Sequence, residues 1–226
     1  MEIQARALFT HDERARLVRV NEPGGGGPAP RLFVGLTREG NLWRFRADLP
    51  TELVEELEAL CAAEPAGAEL GGMPRNTEAY VRLLEAHAPV RGTEAGPAYH
   101  FDEYVEPSSP PLSVTEANAE LLRGGFEEFV EELPAFQPFV AIVEDGRAVS
   151  VCRSVRITRA AHEAGVETLP DYRGRGFATD VTAGWARLVR SEGALPLYST
   201  SWENKASQAV AKRLRLKLYG IDFHIT

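Results

Sequence analysis

The segment PFVAIVEDGRAVSVCRSVRI (138–157) constrains the fold more than any other part of the chain. It contains two apolar runs separated by Asp145–Gly146, a dipeptide that favours a tight turn between antiparallel strands. HEAGVETL (162–169) follows as a third strand candidate. This region therefore predicts a sheet built from strands that are neighbours in sequence.

Helical and strand-like patterns alternate after the third strand. The loop YRGRGFATD (172–180) precedes a helix whose apolar residues share one face. A strand-like segment, ALPLYSTSW (194–202), comes next, and Asn204 begins a further helix. The chain closes on KLYGIDFHIT (217–226), whose apolar residues recur at alternate positions. The resulting order is hairpin, strand, glycine loop, helix, strand, helix, strand.

The residues before this hairpin contain further candidate elements, and the first portion of the chain has no cluster of reactive residues. Thr51 is placed to cap a helix, and Ser113 or Thr115 to cap a longer one that Gly124–Gly125 divides. The predicted elements are a flexible break (21–30), a hairpin (31–50), two helices (51–64 and 77–90) joined by a loop (65–76), a strand (99–105), a loop (106–111) and a helical stretch (114–133).

Composition disfavours several classes of partner. The net charge of −8 argues against nucleic acid, whose binding proteins usually present a basic domain or stripe. No segment has the roughly 18 apolar residues of a membrane span, and the charged N-terminus lacks a signal-peptide pattern, so a cytoplasmic protein without a membrane partner is expected. Cys61 and Cys152 are expected to be buried thiols, with no disulfide and no metal site.

The loop YRGRGFATD is suited to holding an anion. It leads from a strand into a helix, and the first turn of a helix offers unpaired N–H groups and a partial positive charge. Gly174 and Gly176 let the backbone approach the anion closely, and Arg173 and Arg175 add charge-assisted contacts to phosphate. A strand-to-helix turn with solvated arginines is the alternative.

Two common phosphate motifs do not match. GxxxxGK[ST] is absent, and Thr179 stands where a dinucleotide fingerprint has Gly or Ala. The pattern R-x-x-G-x-A, from Arg173 to Ala178, resembles the acyl-CoA signature of the GNAT superfamily of N-acetyltransferases, and the order of elements over 97–226 is similar to that fold. The resemblance implies an α/β (α+β) protein with a mixed, mostly antiparallel sheet and a splayed central strand.

The resemblance also implies acetyl-CoA as co-substrate. Backbone groups of the strand before the loop would pair with the pantetheine arm, the loop would hold the pyrophosphate, and the Asn that begins the next helix would contact the cofactor. The residues implied are Val166, Glu167, Thr168, Arg173, Gly174, Arg175, Gly176, Phe177, Ala178, Thr179 and Asn204. For the side chain of Phe177, core packing is the preferred role.

The sequence determines the catalytic residues less clearly than the cofactor-binding residues. Glu163 is the candidate general base, with a solvated surface carboxylate as the alternative. Members of the superfamily often carry a Tyr seven residues after the Asn as general acid, and this position is Ala211 here. Tyr198 and Ser201 are the candidate replacements, although their hydroxyls could instead bond to backbone.

The resemblance implies an N-acetyltransferase that acts on the amine of a small molecule or peptide. A CoA-binding module without transferase activity is the alternative, supported by Ala211. Residues 97–226 are predicted to form the acetyltransferase domain, and 1–96 an accessory α+β region. The accessory region could cap the acceptor cleft, mediate a homodimer, or represent a degenerate second half of the same fold.

Overall fold

A computed structural model describes residues 1–66 and 70–226 of the chain. Its strands are β1 (Phe9–His11), β2 (Leu17–Val20), β3 (Leu32–Thr37), β4 (Asn41–Phe45), β5 (Thr93–His100), β6 (Leu112–Ser113), β7 (Phe139–Glu144), β8 (Arg147–Ile157), β9 (Ala161–Thr168), β10 (Leu195–Ser199) and β11 (Lys217–Ile225). Its α-helices are α1 (Glu2–Leu8), α2 (Thr51–Ala62), α3 (Thr77–His87), α4 (Phe177–Ser191) and α5 (Lys205–Arg213). Three short 3₁₀ helices cover Glu116–Leu122, Glu127–Phe129 and Pro170–Tyr172.

In the described part of the chain, nine strands form one sheet in the order β4-β3-β11-β5-β10-β9-β8-β7-β6. Strands β9 and β10 run parallel, and the other adjacent pairs are antiparallel. The parallel pair is in register only from Ala161–Leu195 to Glu163–Leu197. Beyond it the two strands separate while β9 continues to Thr168, so the predicted splayed central strand is confirmed.

The predicted hairpin at 138–157 is confirmed as β7 and β8. Its turn residues Asp145 and Gly146 have φ values of 49° and 78°. Two consecutive positive φ values match the right-handed twist of the flanking strands, and Asp and Gly are the residues that tolerate them best. The alternating pattern of HEAGVETL likewise produces β9, which pairs with β8 along its length.

The first 96 residues share this sheet. The predicted hairpin at 31–50 forms β3 and β4, and β3 pairs with β11 from the other end of the chain. Strand β5 crosses position 96 and pairs with β11 and β10. The division into units 1–96 and 97–226 stays a prediction about folding units, within a sheet that is continuous across it.

Several boundaries differ from the sequence-based expectation. Pro50 rather than Thr51 precedes α2, and β5 lies at Thr93–His100 rather than at 99–105. The stretch 114–133 forms 3₁₀ helices instead of α-helices, and Thr115 caps the first of them. Gly124 and Gly125 break the stretch with positive φ values, as anticipated. Of the predicted loop 65–76, residues 67–69 lie outside the described part of the chain.

Different helices pack on the two faces of the sheet. Adjacent residues of a strand point to opposite faces, and in β10 Tyr198 packs with α4 and α5 whereas Leu197 packs against Ala7 of α1. Helix α1 was not anticipated from the sequence, yet it covers the face opposite α4. In the described ranges no helix combines the length and apolarity needed to cross a membrane.

Candidate functional site

In the described part of the chain, the loop between β9 and α4 presents a row of free backbone N–H groups. Gly174 and Gly176 adopt φ values of 78° and 92°, and Gly176 is the N-cap of α4. Among the described residues, none accepts a hydrogen bond from the backbone N–H groups of 174–178. Left-handed glycines next to a helix N-terminus turn such N–H groups toward one point, which is the geometry of an anion site.

The arginines of the loop have different positions. Arg173 lines the adjacent cleft and donates from Nε to the Thr168 carbonyl at 3.3 Å. Arg175 turns back, donating to the Asp171 carbonyl at 3.2 Å, with its guanidinium 4.9 Å from the centre of the Tyr172 ring. The backbone N–H of Arg175 thus belongs to the row, whereas its side chain does not face the cleft.

The loop forms one wall of a cleft of about 820 Å³ that occupies the space between the splayed strands β9 and β10. Helix α5 forms another wall. Ten of the predicted site residues line the cleft: Val166, Glu167, Thr168, Arg173, Gly174, Gly176, Phe177, Ala178, Tyr198 and Asn204. Glu163, Arg175, Thr179 and Ser201 lie outside this lining.

Asn204 has a structural role at the cleft. It is the N-cap of α5, and its side-chain oxygen accepts a hydrogen bond from the Ser207 N–H at 3.0 Å. Ser201 supports the same turn, because its hydroxyl accepts from the Asn204 N–H at 3.2 Å. The Thr179 hydroxyl is buried in the first turn of α4, and none of the described residues bonds to it.

Glu163 is a buried carboxyl beside the cleft. Only 4% of the residue is exposed, and the Ser199 hydroxyl donates to its Oε1 at 2.8 Å. Within the described part of the chain, Oε2 has no hydrogen-bond partner. Burial raises the pKa of Glu163 to about 7, with a smaller contribution from Asp222, while the Ser199 bond opposes the rise. A carboxyl with this pKa can take up a proton at neutral pH.

Tyr198 places a phenol at the base of the cleft. Its hydroxyl lies 2.6 Å from the Ser207 hydroxyl in the first turn of α5. Burial raises the pKa of Tyr198 to about 12, so the phenol is protonated at neutral pH and can act only as an acid. Ala211 is buried in the core one helical turn after Ser207, on the same face of α5.

The cleft is also lined by residues outside the predicted set of site residues. Ser199 and Ser207 carry hydroxyls, and Arg213 adds a second guanidinium at the far end of α5. Gly125 and Phe126 come from the segment between the first two 3₁₀ helices. Arg213 could have been found from the sequence, because it is a basic residue in the last turn of the predicted helix α5. Gly125 and Phe126 could not, because their place in the cleft depends on packing between segments distant in sequence.

Among residues 1–66 and 70–226, no three His, Cys, Asp or Glu side chains come together in a way that could hold a metal ion. Cys61 and Cys152 are both free and buried, and burial raises the pKa of each thiol.

Comparison with known proteins agrees with this architecture. Residues 136–219 match the family model described as GNAT acetyltransferase. A GCN5-related N-acetyltransferase-like protein from Streptococcus suis is 18% identical with a TM-score of 0.50, covering 88% of this chain and 85% of its own. A Drosophila protein of known structure is 13% identical with a TM-score of 0.51, covering 82% of this chain and 70% of its own.

Other matches are more partial. An acetyltransferase of the GNAT family from Novosphingobium aromaticivorans is 17% identical with a TM-score of 0.47, and the match covers 60% of this chain and 65% of that one. No curated protein matches the sequence significantly. The matched segment 136–219 contains β9, the loop, α4, β10 and α5, the elements that enclose the cleft. Over residues 136–219 the chain is therefore similar to the GNAT acetyltransferase family.

Proposed function

We propose that the protein is an acetyl-CoA-dependent N-acetyltransferase whose acceptor is the amine of a small molecule or peptide. The similarity of residues 136–219 to the GNAT acetyltransferase family supports acyl transfer as the class of reaction. The row of free N–H groups at 174–178, set at the mouth of the splayed cleft, is the observation that carries the assignment of acyl-CoA. The net charge of −8 favours a cationic acceptor.

The residues of the cleft fit the parts of CoA. The pyrophosphate would accept from the N–H groups of 174–178, and Arg173 and Arg213 would add positive charge for the phosphates. The amides of the pantetheine arm would pair with the backbone of β9 beyond Glu163, where the register with β10 has ended. When bound, acetyl-CoA supplies an acyl group activated as a thioester.

Glu163 and Tyr198 are the groups proposed for proton transfer. Glu163, with a pKa of about 7, would accept a proton from the acceptor ammonium. Tyr198 would protonate the departing thiolate, since its hydroxyl lies beside Ser207, one turn before Ala211 on the same face of α5. Tyr198 would therefore bring a phenol from β10 to the part of α5 where related enzymes often carry a tyrosine.

A CoA-binding protein without transferase activity is the second candidate. Ala211 favours it, because this buried residue has no proton to donate. The two candidates predict the same binding of CoA and differ only in turnover.

Binding is tested by isothermal titration with CoA, using Gly176→Ala and Gly193→Ala as a matched pair. Both glycines have positive φ (92° and 82°), and a Cβ on either meets open space, so both variants should lose about 1 kcal/mol of folding stability. Only Gly176 belongs to the row of N–H groups. Gly176→Ala should weaken CoA binding about tenfold or more, a loss of about 1.4 kcal/mol, while Gly193→Ala should bind normally. Equal affinities, or no binding by the wild-type protein, would reject the proposal.

Turnover is tested by thiol release from acetyl-CoA with spermidine, benzylamine and a lysine-containing hexapeptide as acceptors. Glu163→Gln should lower kcat about 100-fold, the usual contribution of a general base, and leave CoA affinity unchanged. CoA binding without acetylation of any of these amines would favour the second candidate.

A further inference from the structure

Glu163 is closed off on the face of the sheet that it shares with α1. Its register partner Leu197 packs against Ala7 of α1, which is fully buried. Gln4 of the same helix is 1% exposed and donates from Nε2 to Asp222 at 2.8 Å, while the Tyr219 hydroxyl donates to the Gln4 Oε1 at 2.7 Å. This packing and the 4% exposure of Glu163 leave little room for an amine to reach its carboxyl from the α1 face.

A hydrogen bond from Ser199 connects the cleft to Glu163. Ser199 lines the cleft and donates its hydroxyl proton to Glu163 Oε1 at 2.8 Å, whereas Glu163 itself is not part of the lining. The Ser199 backbone is fixed by its pairing with Ala98 of β5, at the point where β10 has parted from β9. The serine hydroxyl therefore lies between the space available to a substrate and the buried carboxylate.

We propose that Ser199 conducts the proton from the acceptor amine to Glu163, so that the amine binds against the Ser199 Oγ rather than against the carboxylate. The proposal rests on the N-acyltransferase function proposed above. One N–H bond of the ammonium breaks and its proton goes to Ser199 Oγ, as the original hydroxyl proton of Ser199 goes to Glu163 Oε1. The ammonium becomes a neutral amine, the hydroxyl is regenerated, and Glu163 later returns its proton to solvent by the reverse path.

Ser199 also affects the pKa of the Glu163 carboxyl. The ionisable groups facing Glu163 are Asp222 and Tyr219 on β11, Tyr198 on β10 and Arg156 on β8, and α1 adds the uncharged Gln4. Against this background the Ser199 hydrogen bond favours the carboxylate. Its loss should raise the pKa of Glu163 and move the acid limb of kcat/KM to higher pH.

The kinetic test compares Ser199→Ala, Ser199→Thr, Glu163→Gln and the double variant Glu163→Gln/Ser199→Ala, with acetyl-CoA and the best acceptor of the three amines. Ser199→Ala should lower kcat about 30- to 100-fold with CoA affinity unchanged, and Ser199→Thr, which keeps a hydroxyl, should recover most of the activity. The double variant should be no slower than either single one, because both changes interrupt one path. Ser191→Ala, on the exposed end of α4, is the matched control.

The proposal is overturned if Ser199→Ala keeps the wild-type kcat and pH profile, if Ser199→Thr is as impaired as Ser199→Ala, or if the two single effects multiply in the double variant.

A second measurement needs no acceptor. It uses ¹³C NMR of protein labelled at glutamate Cδ, with the Glu163 signal assigned from Glu163→Gln. Ser199→Ala should raise the Glu163 pKa and slow its proton exchange with solvent, and an unchanged titration would overturn the proposal. Failure of wild-type protein to bind CoA rejects the proposed function and, with it, this proposal.

Discussion

Burial makes ionisation of Glu163 unfavourable in the folded protein. Its pKa is about 7 when folded, against 4.5 for an ordinary glutamate, so the folded state holds the proton over a pH range in which the unfolded state releases it. Below about pH 4.5, Glu163 therefore does not lower the free energy of unfolding. The free energy of unfolding decreases as pH rises from about 4.5 to 7, and above pH 7 Glu163 lowers it by the full amount. The shift corresponds to about 3 kcal/mol.

We predict that Glu163→Gln stabilises the protein at pH 8 and not at pH 4. The amide removes the buried charge and can still accept from the Ser199 hydroxyl, so the gain at pH 8 should be about 2–3 kcal/mol. Urea denaturation at the two pH values measures it. Glu167→Gln is the control, because Glu167 lies on the same face of β9, is half exposed and pairs with Arg153. Its effect should stay below about 1 kcal/mol at both pH values. A Glu163→Gln effect that is equal at pH 4 and pH 8 would contradict the prediction.

At the residue scale, sequence reasoning finds backbone geometry more readily than side-chain environment. The motif from Arg173 to Ala178 places glycines where positive φ is needed, and the structure has them there at Gly174 and Gly176. The alternation of β9 separates His162 from Glu163, and His162 indeed bonds to buried Ser154 on the α4 side. The contact of Glu163 with Ser199 depends on the register of two strands separated by a helix, which the local sequence does not encode.

At the element scale, the segment after β10 depends on one glycine of β5. A Cβ on Gly96 would lie 1.6 Å from the Thr200 carbonyl oxygen, because the backbone after β10 passes directly over it. Hydrogen bonds from Thr200 N–H to the Pro97 carbonyl and from Trp202 N–H to the Ala95 carbonyl hold this segment in place. The same segment connects Ser199 to Asn204, so its position determines one side of the cleft.

We predict that Gly96→Ala destabilises the protein by about 2–3 kcal/mol, since the contact is with backbone and cannot be relieved by a rotamer change. CoA affinity should fall as well, because the segment carrying Asn204 must move. Gly92→Ala is the matched control, since its Cβ would make an ordinary 3.5 Å contact with the Thr226 hydroxyl. Chemical denaturation and titration with CoA measure both effects. Equal stability of the two variants would show that the segment can shift without cost.

Elements with strong local signals were predicted well. The hairpin β7–β8 has an Asp-Gly turn, and α4 and α5 have apolar stripes with recognisable starts. The stretch 114–133 was predicted to be α-helical because its apolar residues have helical spacing, and this prediction was wrong. In the structure, Leu122, Phe126, Phe129 and Leu133 pack against Phe139 and Val151, and the turn at Gly124–Gly125 lets short 3₁₀ helices reach that face. Tertiary packing thus overrides the local periodicity.

At the scale of the whole molecule, β11 joins the two ends of the chain. It lies between β3 and β5, and its residues Ile221, Phe223 and Ile225 share a buried cluster with Leu57 of α2 and Leu84 of α3. The first 96 residues therefore contribute to the same sheet and core as the last ten. Sequence patterns located β3 and β11 but misplaced β5. The order β3-β11-β5 involves pairings across nearly the whole chain, which no local pattern specifies.

We predict that the protein unfolds as one cooperative unit, because removing β3 and β4 would expose β11 and half of its core. Incorporation of 5-fluorotryptophan gives ¹⁹F signals for Trp43 in β4 and Trp185 in α4, which report on opposite parts of the sheet. The two native signals should disappear at the same urea concentration, and saturating CoA should move both midpoints upward by the same amount. Trp43→Phe and Trp202→Phe assign the signals. Earlier loss of the Trp43 signal would instead show that residues 1–96 unfold separately from residues 97–226.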